Sequence, residues 1–189
     1  MLYSRFRRLC VAALACAPLV ACQSEKPPLD PFPTGSVQPY HLDSGDQVRV
    51  TVFDQSGLTG TYNVDPAGYI SVPLIGAVPA RGKTLANLER TIAGKLANGY
   101  VRDPDVSVQM DRYRSIFIMG EVSQGGQYSY VPGMTAQQAV AAAGGFSARA
   151  YEKTVEVTRR LNGKSLTGRI LPTEPIRPGD TITVRERLF

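Results

Sequence analysis

Two rhythms of apolar residues divide the chain into segments. From Gln47 onward, Val48, Val50 and Val52 alternate with Arg49 and Thr51, the period of a half-buried strand. Gly45-Asp46 supplies the turn before it. A second extended piece, Tyr69 to Leu74, follows the turn signal Asp65-Pro66-Ala67-Gly68. The period then lengthens: Leu85, Leu88, Ile92 and Leu96 recur at helical spacing from Thr84, whose hydroxyl suits an N-cap, and the segment ends near Asn98-Gly99. After Asp103-Pro104, Val106, Val108 and Met110 return to strand alternation. The first half therefore predicts strand, strand, helix, strand, a small α+β unit ending near Arg112.

The second half opens with an apolar strand from Ile116 to Met119, a glycine turn through Gly125-Gly126, then Tyr128 and Tyr130. Thr135 and Gln138 have the spacing of a capping box, Ala139 to Ala143 are strong helix formers, and Gly144-Gly145 stops the helix. Val155 and Val157 alternate up to Asn162-Gly163, a two-residue hairpin signal, and a return strand reaches Ile170. Pro178-Gly179-Asp180 leads into a last strand, Thr181 to Val184. One short helix across a mixed sheet of short strands is the pattern of a β-grasp domain.

The turns before the first and last strands share a spacing. Leu42, Gly45, Asp46, Val48 and Val50 correspond, at constant offset, to Ile176, Gly179, Asp180, Ile182 and Val184. Glycine takes a positive φ, aspartate closes the turn with its side chain, and branched residues fill the inner face. Gly45, Asp46, Gly179 and Asp180 are expected to serve structure, not chemistry.

The N-terminus changes how composition is read. Arg5, Arg7 and Arg8 precede an apolar run from Leu9 to Val20, too short for a membrane span, and Leu19-Val20-Ala21-Cys22 closes it. This reads as a lipoprotein signal peptide over residues 1–21, with Cys22 acylated and the hydrocarbon chains anchoring the protein. Cys10 and Cys16 leave with the leader, so neither a disulfide nor a cysteine metal site is expected. The formal charge of +5, less the leader's three arginines, becomes +2 on 168 residues, which is no argument for nucleic acid binding. A chain of that length can bury a proper core. Pro27, Pro28, Pro31, Pro33 and Pro39 make residues 22–39 a tether, which at roughly 3 Å per residue reaches about 50 Å. Gln23 stands where an inner-membrane retention signal would place Asp, which points to the outer membrane.

Tyr40-His41-Leu42-Asp43-Ser44-Gly45-Asp46-Gln47-Val48-Arg49-Val50-Thr51-Val52-Phe53, with Gly68-Tyr69-Ile70-Ser71-Val72-Pro73-Leu74-Ile75-Gly76, resembles the opening of the polysaccharide export domain of bacterial outer-membrane polysaccharide export lipoproteins. Ile118-Met119-Gly120-Glu121-Val122 through Tyr128, then Thr135 to Ala143 and Gly144-Gly145-Phe146, is similar to the soluble-ligand-binding β-grasp domain that follows in that family. The resemblance implies an α+β fold, with an export domain over residues 40–112 and a β-grasp domain over 113–189. It implies a homo-oligomeric periplasmic ring that carries capsule or exopolysaccharide with an inner-membrane copolymerase. The chain stops at Phe189, five residues after Val184, so it resembles the short members that need a separate outer-membrane channel. The expected location is the periplasmic face of the outer membrane.

No catalytic constellation, metal site or cofactor motif stands out. Counting back by two from Phe189 gives Arg187 and Arg185, two cations that disfavour a membrane-inserted end. His41 is the sole histidine, lies beside a tyrosine and has no nucleophile to serve. Asp43 and Asp46 read as turn acceptors; Asp103 and Asp105 bracket a proline and lack the ligand run of a calcium loop. Gly120 to Gly126 lacks the Gly-Lys-Ser/Thr ending of a phosphate loop. Tyr128, Tyr130 and Tyr151 are candidates for stacking on sugar rings, against the alternative of half-buried core. Besides the export ring, the sequence leaves open a monomeric glycan- or small-ligand-binding lipoprotein and, without a visible acid and base pair, a polymer-trimming hydrolase or lyase.

Overall fold

A computed structural model of the chain describes residues 39–161 and 163–187. The leader, Cys22 and the proline-rich tether up to residue 38 lie outside the described residues, as do Asn162, Leu188 and Phe189. Buried side chains gather into two clusters, one from Leu42 to Val108 and one from Ile116 to Val184.

Around the first cluster, β1 (Gln47–Val52) is the middle of a three-stranded antiparallel sheet, with β2 (Gly60–Asn63) on one side and β5 (Val106–Arg112) on the other. Val48, Val50 and Val52 face inward and Arg49 and Thr51 outward, as their alternation predicts. A separate hairpin joins β3 (Tyr69–Val72) to β4 (Gly76–Pro79). Helix α1 (Leu85–Ala97) presents Leu88, Ile92 and Leu96 to the same cluster. The Thr84 hydroxyl accepts from the Asn87 amide at 3.2 Å, satisfying one of the free N–H groups of the first turn. Gly99, at φ +93°, ends it.

The predicted order of strand, strand, helix, strand requires correction, because two strands were added. β2 buries none of its four residues and β4 buries only Val78. Such strands exist through ladder hydrogen bonds to a neighbour, so no apolar alternation announces them. The extended piece also stops earlier than Leu74: that residue sits at φ +67° in the connection to β4.

Around the second cluster, five strands pair in the order β7-β6-β10-β8-β9. They are β6 (Ile116–Gly120), β7 (Gly126–Tyr128), β8 (Val155–Leu161), β9 (Lys164–Ile170) and β10 (Thr181–Val184). β10 runs parallel to β6 and antiparallel to β8, so the last strand enters the middle of the sheet. α2 (Ala136–Ala142) carries the reciprocal capping box of Thr135 and Gln138 and adds Ala136, Ala139 and Val140 to the core. This is a β-grasp arrangement, and the whole chain is α+β.

Candidate functional site: two matching turns around Arg114

The turns that precede β1 and β10 have the same internal bonding. The Asp46 amide donates to the Asp43 carbonyl at 3.1 Å, and the Asp43 amide donates to Asp46 Oδ2 at 2.8 Å. Likewise, the Asp180 amide donates to the Arg177 carbonyl at 3.1 Å, and the Arg177 amide to Asp180 Oδ2 at 2.8 Å. Each turn is therefore closed once by the backbone and once by the carboxylate. Gly45 at φ +89° and Gly179 at φ +80° occupy matching places in the left-handed region. Leu42 and Ile176 anchor the two turns in their respective cores.

Both carboxylates are 0% exposed, and a buried charge needs partners to offset lost hydration. Their remaining oxygens are satisfied differently. Arg159 grips Asp180 through Nε to Oδ1 at 2.8 Å and Nη2 to Oδ2 at 2.7 Å, a bidentate pair. Asp46 instead accepts from the Arg114 backbone amide at Oδ1, 2.9 Å, and from the Tyr40 hydroxyl at Oδ2, 2.6 Å. Arg114 Nη1 donates to both, at 3.3 Å to Asp46 Oδ2 and 2.9 Å to the Tyr40 oxygen. Burial, then the hydrogen bond and charge of Asp46, raise the Tyr40 pKa well above its ordinary value.

Arg114 lies where the two units meet. A Cβ added to Gly45 would lie 3.4 Å from Arg114 Cβ, and one added to Gly179 would collide with Arg114 Nε. The arginine thus passes between the two turns, and glycine is what lets the second one approach it. Its guanidinium carbon is 5.8 Å from the Tyr40 ring centroid. Tyr40, Tyr113 and Tyr130 continue the contact as edge-to-face rings, with centroids 5.1 and 5.5 Å apart. The Tyr130 hydroxyl reaches the Ile176 carbonyl at 3.4 Å, and burial raises its pKa.

The three candidate sugar-stacking tyrosines do not share one environment. Tyr128 and Tyr130 pack against the second core, and the Tyr128 hydroxyl donates to the Gln124 carbonyl at 2.6 Å. Tyr151 is half-buried, with the Arg185 guanidinium 5.7 Å from its ring centroid. His41 is exposed, and Asp43 Oδ1 accepts from Ser44 and Arg81. Among the described residues no group of three or more His, Cys, Asp or Glu is placed to hold a metal ion, and no helix is long and apolar enough to cross a membrane.

Sequence reasoning missed Arg159 and Arg114. The signal for Arg159 was present: it follows Val155 and Val157 on the inward phase of β8, so a charge there demands a buried partner. Arg114 has no comparable signal, because it lies between strands and outside any alternation.

Fold and junction together define a two-unit protein, a small α+β unit leading into a β-grasp sheet. Residues 34–111 match the family of polysaccharide biosynthesis/export proteins, and residues 115–169 match the SLBB domain. Exopolysaccharide production protein ExoF of Rhizobium meliloti (strain 1021) is 33% identical over 174 residues, an alignment covering 79% of this chain and 41% of that relative. The chain belongs to the polysaccharide export protein family, a family of export proteins and not of enzymes.

Proposed function

We propose that the protein is a lipid-anchored periplasmic component of a capsule or exopolysaccharide export apparatus. Acyl chains on Cys22 hold it at the periplasmic face of the outer membrane, with residues 40–112 as the export unit and 113–189 as the β-grasp unit. Copies assemble into a ring that passes polymer outward without chemical change, in line with an inner-membrane copolymerase. The observation that carries this reading is the succession, in one chain, of a match to polysaccharide biosynthesis/export proteins and a match to the SLBB domain. The likeness to a protein named for exopolysaccharide production supports the same reading. Lipidation rests on Leu19-Val20-Ala21-Cys22 at the end of an apolar run.

The test is surface and periplasmic polysaccharide in a deletion strain complemented with the wild-type chain or with Cys22→Ser. Polymer lost from the surface and restored by wild type alone is the expected result. Unchanged polymer in the deletion strain overturns the export role, and full rescue by Cys22→Ser overturns the anchor. Subunit stoichiometry in detergent tests the ring: a strict monomer would favour a binding module.

A further inference from the structure

Two ends of the molecule carry exposed charge of opposite sign, and neither takes part in the Arg114 junction. The first is the end of the three-stranded sheet where Val52 lies across from Val106. There the Phe53 amide donates to the Asp105 carbonyl at 2.9 Å, so the turn after β1 and the segment before β5 run side by side. Phe53 is 76% exposed, and Asp54, Asp103 and Asp105 are exposed beside it. Arg102 alone stands next to these carboxylates in sequence as a cation. The turn holding Phe53 out is closed on the Val52 carbonyl twice, by the Gln55 amide at 3.1 Å and the Thr59 hydroxyl at 3.2 Å. The second is the tip of the β8–β9 hairpin. β10 pairs with β8 only as far as Thr158, whereas β8 and β9 continue together to Leu161 and Lys164, so the hairpin runs past the sheet as an arm. From Val157 to Thr173 the chain has four cations and no acid. Arg159 is committed to Asp180, while Arg160 and Lys164 are exposed on the arm. Leu161 and Leu166 share the face of Lys164, and Leu166 is 47% exposed. Among the described residues, Asp54, Asp103, Asp105, Arg160 and Lys164 take part in no ion pair.

An aromatic ring on an ordered turn loses little freedom when a partner covers it, and aromatic residues are enriched where proteins meet. The carboxylates around Phe53 set what that partner must offer: an apolar spot flanked by cations. The arm of this same chain is such a surface, with Leu161 and Leu166 beside Arg160 and Lys164. Charge also decides how two copies can meet. Two Phe53 ends face to face would oppose carboxylates to carboxylates, and two arms would oppose cations to cations, each at a cost. End against arm sets opposite charges together. That contact uses different surfaces on the two copies, so each copy keeps one of each free for the next. A repeating contact of this kind generates a closed ring, whereas a two-fold contact stops at a dimer.

We propose that copies of this chain join head to tail, Phe53 of one copy lying against Leu161 and Leu166 on the arm of the next, with Asp54, Asp103 and Asp105 facing Arg160 and Lys164. That the copies close a ring rests on the export reading; that end meets arm rests on their opposite charge. The test is sedimentation velocity of the purified full chain in detergent. Wild type is expected to sediment as an oligomer that loosens as salt rises. Phe53→Ser, the pair Asp103→Lys and Asp105→Lys, and the pair Arg160→Glu and Lys164→Glu should each weaken association on the order of tenfold or more. Both pairs combined in one chain again set opposite charges between end and arm, and assembly should return; contacts of end with end would stay repulsive. Lys153→Glu, the same charge change at an exposed cation off the arm, should leave assembly unchanged. Circular dichroism separates lost assembly from lost fold, and should a charge-reversed variant fail to fold, Phe53→Ser decides. An oligomer indifferent to salt, undiminished assembly in the folded variants, or no recovery in the folded combined chain overturns the contact and leaves the ring to other surfaces. A wild type that stays monomeric overturns contact and ring together. Surface polymer in the deletion strain decides the export role independently of either.

Discussion

The turns at Asp46 and Asp180 share a backbone and differ in where their charge is answered. Asp180 is held by Arg159 from β8, a strand of its own sheet, and the arginine side chain is only 10% exposed. Asp46 is held by Tyr40 and by Arg114, whose side chain is 22% exposed and lies against Gly179 of the other turn. One turn therefore seals the interior of the β-grasp unit, and the other seals the seam between units. The same local motif acquires different roles because the groups that complete it come from different places.

The largest expected effect separates the two aspartates. Asp180→Ala leaves the Arg159 guanidinium buried without its carboxylate, and urea unfolding should show a loss of about 3–5 kcal/mol. Asp46→Ala should lose less, about 1–3 kcal/mol, because Arg114 can rehydrate at the seam. Equal losses would break the contrast between interior and seam.

Next come the glycines. Gly45→Ala should cost about 1–2 kcal/mol for a side chain in the left-handed region. Gly179→Ala should cost more, because its Cβ also displaces Arg114. In an Arg114→Ala background the difference should close, with a coupling energy of about 0.5 kcal/mol or more in the double-mutant cycle. A Gly179→Ala penalty that ignores residue 114 would show that the turns do not meet through it.

Tyr40→Phe removes one of the donors to Asp46 and should cost about 1 kcal/mol at neutral pH. Its pH dependence sharpens the comparison. The folded protein holds the Tyr40 phenol neutral above its ordinary pKa of 10.0, while the unfolded chain ionises there. The stabilisation is therefore complete below pH 10.0 and is lost as pH rises beyond it. Alkaline melting should be steeper for wild type than for Tyr40→Phe, and parallel curves would remove Tyr40 from the seam.

The smallest effect belongs to an aspartate turn outside the seam. Asp65 accepts from the amides of Tyr69 and Gly68, and the Tyr69 bond leads in lowering its pKa from 3.8. Its contribution is present above pH 3.8 and fades as pH falls through the lowered value. The thermal midpoints of wild type and Asp65→Asn should therefore converge under acid. A gap that persists at the lowest pH would assign the turn to its backbone alone.

Much of the fold was legible in local pattern. Thr84 and Thr135 cap the helices where spacing placed them, and the inward phases of β1, β5, β8 and β10 follow their valines and isoleucines. β2 and β4 were hidden because their pairing comes from backbone bonds to β1 and β3 and buries little. The matching turns were visible as a repeated spacing, and Arg159 was inferable as a charge on an apolar phase. Arg114 was not: it meets Asp46 across 68 positions of sequence and reaches Gly179 from the other side.

By itself, the sequence determined the caps, the strand phases, the two glycine–aspartate turns and the order of units that places the chain among polysaccharide export proteins. Each is written in neighbouring residues, through hydrogen bonds and side-chain periods that close within a few positions. Tertiary structure alone decided which cation answers which buried aspartate, and that Arg169 lies across from Glu156 while Arg185 pairs with it. Those outcomes depend on strand register and on contacts between distant segments, and no local period encodes which distant groups will meet once the sheets have formed.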